Sequence, residues 1–435
     1  MVPRLSTTVD LAPLLLMGWQ VVFPVTELPY LSPLVLLVAL VAVVRIVARE
    51  IRPKASRVLI LGSTGSIGTQ ALEVIAADRG LRVAGLSAGS SSRELLEQAR
   101  EHGAPAVALA DPAAAERASG EWGGQVLGGE EGVRELISSS DPDLILNSIV
   151  GAAGLGPTIV ALTEGIDVAL ANKESLVIGG ELVTALAEAT DARIIPVDSE
   201  HSALYQLIRA ERPGTLERLV LTASGGPFRG RTDLSGITPD DALAHPTWKM
   251  GGRITIDSAS LMNKGFEMIE AHHLFGVPYE RIDVVVHPQS IVHSLIHLND
   301  GASLAHLGYP DMKVPISYAL HHPERADVEV PTLDLASVGE LSFEPPDTET
   351  FACLRLAREA GEVGGTAPCV LNAADEIAVE AFLGGRIPFT GIPEVIEGCL
   401  DVIPGAPVRH FEDLFVVDGE ARERARGLIE GLAVA

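Results

Sequence analysis

Apolar positions follow two different rules along this chain. From about Ser56 they come as short bursts, Val58 to Leu61, Leu81 to Leu86, Ala106 to Ala110, Asp143 to Asn147, Asp167 to Leu170 and Arg193 to Val197. These alternate with Ala- and Leu-rich stretches of helical spacing such as Thr69 to Arg79 and Ser92 to His102. Strands that alternate with helices predict βαβ units around a parallel sheet. The alternation lapses at Asp198, and beyond it glycine-rich loops separate strand-like stretches at Leu219 to Ala223, Ile254 to Asp257, Asp283 to His287 and Ser294 to His297. That pattern predicts a mixed α+β region. Residues 326–349, rich in Pro, Asp and Glu, read as a linker. After Thr350 the spacing is helical to the end, interrupted around Ile403 to Val408. The expected divisions are 56–197, 198–343 and 344–435, preceded by a separate piece, 1–55.

That first piece obeys the other rule: its apolar residues run nearly unbroken. Between Glu27 and Arg45 lie 17 uncharged residues, at the lower limit for a helix that spans a membrane, and Leu11 to Val25 forms a second, weaker run. The stretch before Leu11 carries Arg4 and Asp10 in place of the basic region of a secretory signal. An uncleaved anchor or hairpin within residues 11–47 is therefore expected. Arg45, Arg49, Arg52, Lys54 and Arg57 come directly after the longer run, which puts the remainder of the chain on the cytoplasmic face. The competing reading is a misassigned or disordered extension.

Composition narrows the function. With 47% hydrophobic and 21% charged residues, the chain falls among folded proteins, and at roughly 150 residues per domain its 435 residues predict more than one. A net charge of −26 excludes the basic footprint of a nucleic-acid binder and suits small substrates and cations. The 3 cysteines, Cys353, Cys369 and Cys399, are too few and too scattered for a disulfide framework or a thiolate metal site, so a reducing compartment is expected.

Six stretches carry chemistry. Gly62-Ser-Thr-Gly65-Ser-Ile-Gly68 directly follows a buried strand and opens a helix, where glycines let the backbone approach a pyrophosphate at the helix N-terminus. The second strand ends in Ser87-Ala88-Gly89-Ser90-Ser91 with Arg93 nearby; no acid stands there for a ribose hydroxyl, which favours NADP over NAD. Asp198-Ser199-Glu200 at a strand end would put two carboxylates on one face, where a hard cation such as Mg²⁺ or Mn²⁺ relieves their repulsion. A solvated acidic strand end is the competing reading, and a third carboxylate is needed. Asp257 to Glu267 offers one: Ser258, Asn263 and Lys264 suit a phosphate at a helix start, and Glu267 follows on the helix. Thr222 to Pro227, with Ser224, is a small-residue turn open to a phosphate. His245-Pro-Thr-Trp248-Lys-Met250-Gly251-Gly252 reads as a hinged lid whose aromatic covers a ligand or packs on the core. A zinc site through His272 and His273, or His287 and His293, lacks the spacing it needs.

Taken in order, G-S-T-G-S-I-G, A-N-K-E-S-L, V-D-S-E-H-S-A, T-A-S-G-G-P-F, H-P-T-W-x-M-G, D-S-A-S-L-M-N-K-G-F-E and H-P-Q-S-I-V-H-S resemble the 1-deoxy-D-xylulose 5-phosphate reductoisomerase family from about Arg57 to the C-terminal helices. The resemblance implies an α/β fold with a Rossmann-like NADPH domain, an α+β catalytic domain and a C-terminal helical domain, acting as a homodimer in non-mevalonate isoprenoid synthesis. It implies conversion of 1-deoxy-D-xylulose 5-phosphate to 2-C-methyl-D-erythritol 4-phosphate with NADPH and Mg²⁺ or Mn²⁺, by retro-aldol and aldol steps followed by hydride transfer. Carried over residue by residue, it implies Thr64, Gly65, Ser66, Ile67, Gly89, Ser91, Asn172, Glu174 and Gly251 at the cofactor, and Asp198, Glu200 and Glu267 at the metal. Lys173, Ser199, Glu200, Ser224, His245, Ser258, Asn263, Lys264 and Glu267 would meet the substrate, with Trp248 and Met250 closing over it. The catalytic set would be Lys173, Asp198, Glu200, Glu267, His245 and Trp248. Ser90 and Ser91 stand where the family often has basic or amide residues, and Asp375 where it commonly has Asn. An NADP-dependent dehydrogenase of another small substrate would keep the glycine turn without needing three carboxylates, and a membrane-tethered nucleotide-sensing scaffold would bind nucleotide without turnover.

Overall fold

The computed structural model describes residues 55–248 and 250–433. The anchor expected within residues 11–47 lies outside the described residues, among which no helix is long and apolar enough to cross a membrane.

Seven parallel strands form the first sheet: β1 (Arg57–Leu61), β2 (Arg82–Ala88), β3 (Ala106–Leu109), β4 (Gln125–Gly128), β5 (Leu144–Asn147), β6 (Asp167–Leu170) and β7 (Ile194–Pro196), in the order β4-β3-β2-β1-β5-β6-β7. Alternate side chains of β1 feed opposite cores. Val58 and Ile60 pack with α1 (Ser66–Ala77), α2 (Ser92–His102) and α3 (Pro112–Glu121). Leu59 and Leu61 pack with α4 (Gly129–Ser140), α5 (Leu155–Thr163) and α6 (Glu174–Thr190). Burial on both faces is why these strands read as continuous apolar runs. The strand order reverses between β1 and β5, and ligands of such sheets bind outside the strand ends at that point.

After α7 (Ser199–Ala210) the chain builds a second sheet from β8 (Leu216–Ala223), β9 (Ile282–Val286), β10 (Val292–Leu298) and β11 (Ser303–Leu307), ordered β11-β10-β8-β9. Strand β8 runs parallel to β9 and antiparallel to β10. Between β8 and β9 lie α8 (Pro239–Leu243), α9 (Gly252–Ala259) and α10 (Met262–Phe275). Helix α11 (Lys313–His321) then returns to the first sheet, placing Ile316, Ala319 and Leu320 in the same core as α1. The expected linker holds only a short helix, α12 (Leu335–Val338), and the Glu344 bridge to Val286.

Four helices complete the chain: α13 (Ala352–Val363), α14 (Ala367–Leu383), α15 (Gly391–Leu400) and α16 (Phe411–Ala433). Helix α14 is buried around nearly its whole circumference and shares one core with α10, the other C-terminal helices and the second sheet.

Two expectations fail on local backbone. Ile254 to Asp257 is not strand but the interior of α9, with Thr255 N donating to Gly251 O at 3.1 Å and Ser260 N to Ile256 O at 3.0 Å. Three β-branched residues in a row mimic a strand, and burial of one helical face overrides that preference. Asp198 and Glu200 do not share a strand face either. Asp198 caps α7, accepting from the Glu200 N–H, and Glu200 sits in the first turn.

The glycine turn is tight. A Cβ on Gly68 would lie 2.4 Å from the Gly62 carbonyl oxygen and 2.5 Å from the Ser63 Cα, both backbone atoms, and Gly62 itself has φ +83°. Gly68→Ala is therefore expected to destabilise the protein by about 1–3 kcal/mol. Calorimetry should show a melting midpoint several degrees lower; an unchanged midpoint would mean that the turn and α1 are not locked together.

Candidate active site

The ends of β1, β6, β7 and β8 open onto one cavity of about 960 Å³, mouth included. Its floor is electrostatic. The side chain of Lys173, just before α6, is 7% exposed and donates to Asp198 Oδ2 at 2.7 Å, Asn263 Oδ1 at 2.7 Å and Glu267 Oε1 at 3.0 Å. Lys264 bonds Glu267 Oε2 and lies 3.4 Å from Glu200 Oε1. Two ammonium groups thus stand among three carboxylates.

Each charge is tuned by the others. Burial alone would lower Lys173, but Asp198, Glu267 and Glu270 raise it well above the ordinary lysine range. Asp198 is held well below the usual carboxylate range, because Lys173 and His201 outweigh its burial. Glu200 is pushed up to about 7 by burial and by its neighbours Glu267 and Asp198, with Lys264 opposing. His201, buried behind Asp198, bonds Asp198 Oδ1 through Nδ1 at 3.1 Å and the Glu267 carbonyl through Nε2 at 2.8 Å. Burial works against its charge, yet Glu270 and Asp198 raise it to about 9, so it is an imidazolium.

Oxygens of Asp198, Glu200 and Glu267 all lie within 4.8 Å of one another, as do ligand atoms of Asp198, His201 and Glu270. The first set fits a hard divalent cation: three oxygen donors face the cavity and carry more negative charge than two lysines cancel. In the second, both His201 nitrogens are already committed to hydrogen bonds, so it serves as support.

Opposite this cluster lie neutral donors. His245 Nδ1 accepts from the Thr247 and Trp248 amides at 3.1 and 2.9 Å, which leaves its proton on Nε2, 3.0 Å from Ser224 Oγ. Burial keeps this imidazole below the usual histidine range. The Gly226 N–H also donates to Ser224 Oγ, at 3.3 Å, so the Ser224 proton is free to point into the cavity. Ser258, Trp248 and Met250 line the same space, whereas Asn263, which also lines it, is bonded into the charged floor through Lys173 and Glu267. Ser258 comes from the last turn of α9 and not from a helix start; Asn263, in the first turn of α10, meets that expectation.

Across the cavity stands α1. Its N-cap is Gly65, whose lack of a side chain leaves the first-turn amides uncapped, and Ser66 and Ile67 reach the cavity wall. Uncapped amides beside a cavity are the arrangement the glycine spacing predicts for an anion.

Three family models match along the chain: 1-deoxy-D-xylulose 5-phosphate reductoisomerase over residues 58–180, its C-terminal domain over 194–275, and the DXP reductoisomerase C-terminal domain over 307–424. The 1-deoxy-D-xylulose 5-phosphate reductoisomerase of Symbiobacterium thermophilum is 51% identical over 378 residues, 85% of this chain and 97% of that protein. The chain belongs to the 1-deoxy-D-xylulose 5-phosphate reductoisomerase family. The Chloroherpeton thalassium reductoisomerase is 48% identical over 84% of this chain and 96% of its own. Among solved structures, the Zymomonas mobilis reductoisomerase in complex with NADPH matches with a TM-score of 0.80 at 38% identity, over 88% of this chain and 100% of that one. A reductoisomerase in complex with NADPH, fosmidomycin and magnesium matches at 0.82 and 40%, over 86% and 98%.

Of the residues the family motifs single out, Ser66, Ile67, Lys173, Asp198, Ser199, Glu200, Ser224, Trp248, Met250, Gly251, Ser258, Asn263, Lys264 and Glu267 line one cavity, and His245 joins through Ser224. Thr64 and Gly65 lie in the adjoining glycine turn, and Gly89 and Ser91 in the loop between β2 and α2. Asn172 and Glu174 are different. Both are buried, and their side chains are spent on the chain itself: Asn172 Nδ2 donates to the Ile149 and Gly151 carbonyls at 2.7 and 2.9 Å, and Glu174 accepts from the Gly151 N–H at 3.0 Å. They shape the loop after β5. Sequence reasoning missed His201, Arg253 and Met312, and it placed Glu270 with Glu267 on one helix without giving it a role; the local hint to His201 was its position three residues past Asp198.

Lys173→Met should leave the buried carboxylates under-compensated and cost about 3–5 kcal/mol of stability in metal-free protein. Added Mg²⁺ should recover more of that loss in the variant than it adds to the wild type, as read by chemical denaturation. Equal Mg²⁺ gains in both proteins would argue against cation and ammonium answering to the same oxygens.

Proposed function

We propose that this chain converts 1-deoxy-D-xylulose 5-phosphate to 2-C-methyl-D-erythritol 4-phosphate as an NADPH- and divalent-metal-dependent oxidoreductase. The observation that carries the reading is the single cavity in which three carboxylates around two buried lysines face a set of neutral hydroxyl and amide donors, next to an uncapped helix N-terminus.

Asp198, Glu200 and Glu267 would hold the cation, Mg²⁺ or Mn²⁺, which when bound supplies Lewis-acid stabilisation of the oxyanion character that the rearrangement develops. The glycine turn from Thr64 to Ile67, Gly89, Ser91 and Gly251 would hold NADPH, the source of the hydride, with Asn172 and Glu174 acting through the loop they brace. Everything else is the work of this chain. Ser224, Ser258, Asn263 and Lys264 bind the phosphate, a group remote from the reacting carbons, so its binding energy can serve to close the site. His245 fixes the Ser224 hydroxyl with its proton aimed outward. Lys173 and Ser199 orient the substrate oxygens over the carboxylates. Trp248 and Met250 exclude water from the aldehyde before it is reduced. Residues 56–197 would serve the cofactor, 198–343 the metal and substrate, and 344–435 the support of both.

Purified protein should oxidise NADPH, and not NADH at comparable efficiency, when given the deoxyxylulose phosphate and Mg²⁺. Asp198→Asn or Glu267→Gln should lower turnover at least about 100-fold, while NADPH affinity stays nearly constant because the cofactor meets other loops. Full activity in chelator-treated protein would refute the metal assignment.

The finer reading adds a homodimer tethered through residues 11–47 with its active site on the cytoplasmic face. Full-length protein should then sediment with membranes and resist alkaline extraction, whereas a chain beginning at Ser56 should stay active without them. Recovery of the full chain wholly in the supernatant would refute the tether.

A further inference from the structure

A second cluster of ionisable groups lies behind the cavity, where α9 meets α14. Asp257, near the end of α9, and Asp375, in the middle of α14, are both buried and face one another within hydrogen-bonding reach. One oxygen of each, Oδ1, has no donor. Two ionised carboxylates in a dry contact repel; one proton between them removes a charge and supplies the donor that both oxygens lack.

The surrounding charges do not relieve the pair otherwise. Arg253 on α9 stands 3.7 Å from Asp257 Oδ2 and 3.4 Å from Asp375 Oδ2, but its Nη1 is closer to Glu174 of α6, at 3.2 Å, and to Glu376 of α14, at 2.9 Å. Arg422 of α16 reaches only Glu376, at 2.7 Å, and Asp418. From α13 the neighbour is Cys353, a buried thiol held far above its usual range and hence neutral. Burial and the facing Asp375 hold Asp257 well above the usual carboxylate range. Burial pushes Asp375 up to about 6 in spite of Arg253.

We propose that Asp257 and Asp375 share one proton, that this shared proton docks α9 on α14, and that both are positioning residues for the cavity wall that α9 provides. Helix α9 contributes to the cavity at both ends, Gly251 at its N-cap and Ser258 directly after Asp257. A shift of the helix therefore moves a cofactor-side and a substrate-side contact together. The role in substrate binding rests on the proposed reductoisomerase activity; the shared proton does not. The sign comes from the raised acid: the contact is intact while the proton is held, and it weakens as pH rises through the pair's elevated range, when two anions are left face to face.

Asp375→Asn tests this, since an amide donates to the Asp257 carboxylate without a titrating proton; Asp257→Asn does the same from the other side if the first variant fails to fold. Melting midpoint and substrate KM are followed from about pH 6 to about pH 9.5 in wild type and variant. The wild type should lose stability relative to the variant as pH rises, and its KM should climb about threefold more than the variant's with little change in kcat. Parallel midpoint curves would overturn the shared proton, and a divergent midpoint with parallel KM curves would overturn the positioning role. The midpoint requires no substrate, so absence of turnover with the sugar phosphate would count against the proposed activity alone.

Discussion

Three carboxylates cannot be buried together unless cations are buried with them, and most of the architecture serves that condition. Lys173 comes from the turn between β6 and α6, Asp198 from the cap of α7, and Lys264 and Glu267 from α10. No two of these elements are adjacent in the chain, so the first sheet must end under α10 for the charges to meet. Breaking one partner of such a set leaves an unmatched buried charge, which is among the costliest single changes a core can suffer. The cluster therefore fixes the relation between sheet and helix as firmly as apolar packing does.

That relation is held from behind by the C-terminal helices. Gly265 on α10 approaches α13 so closely that a Cβ there would sit 2.3 Å from the Ala357 Cβ, and Phe266 on the same turn is fully buried in the shared core. Arg253, Glu376 and Arg422 form a chain of ion pairs from α9 through α14 to α16. Among the described residues, the C-terminal region makes none of the cavity wall and yet determines where two of its helices lie.

How much of this was legible in the sequence depends on how local each signal is. The strand, glycine turn and helix at Val58 to Ala77 are one continuous stretch whose parts explain each other, and they could be read directly. Asp198 and Glu200 were found for a partly wrong reason. The carboxylates do converge, but through a helix cap, because the same Asp that ends a strand pattern is also a favoured N-cap. Ile254 to Asp257 was misread because branched residues outweighed a helical face visible only once α10 and α14 are in place. Arg253 has one partner within reach of its own helix, Asp257 four residues on, and Asp375 shows in the sequence only as a departure from the Asn common in the family; their other partners lie on other helices far along the chain, and only the fold brings them together. Asn172 and Glu174 show the opposite limit, since motif resemblance located them while their hydrogen bonds reveal a bracing role.

All three cysteines are buried and free, one each on α13, α14 and α15. Burial drives the thiols upward, Cys369 to about 12 and Cys399 to about 11, so hardly any thiolate is present at neutral pH. A thiol reagent can act only when these helices open, because the nucleophile is the exposed thiolate. The rate of alkylation of native protein is then a chemical clock for local opening, graded along successive helices. It would register any loosening of the support behind the cavity without an introduced label.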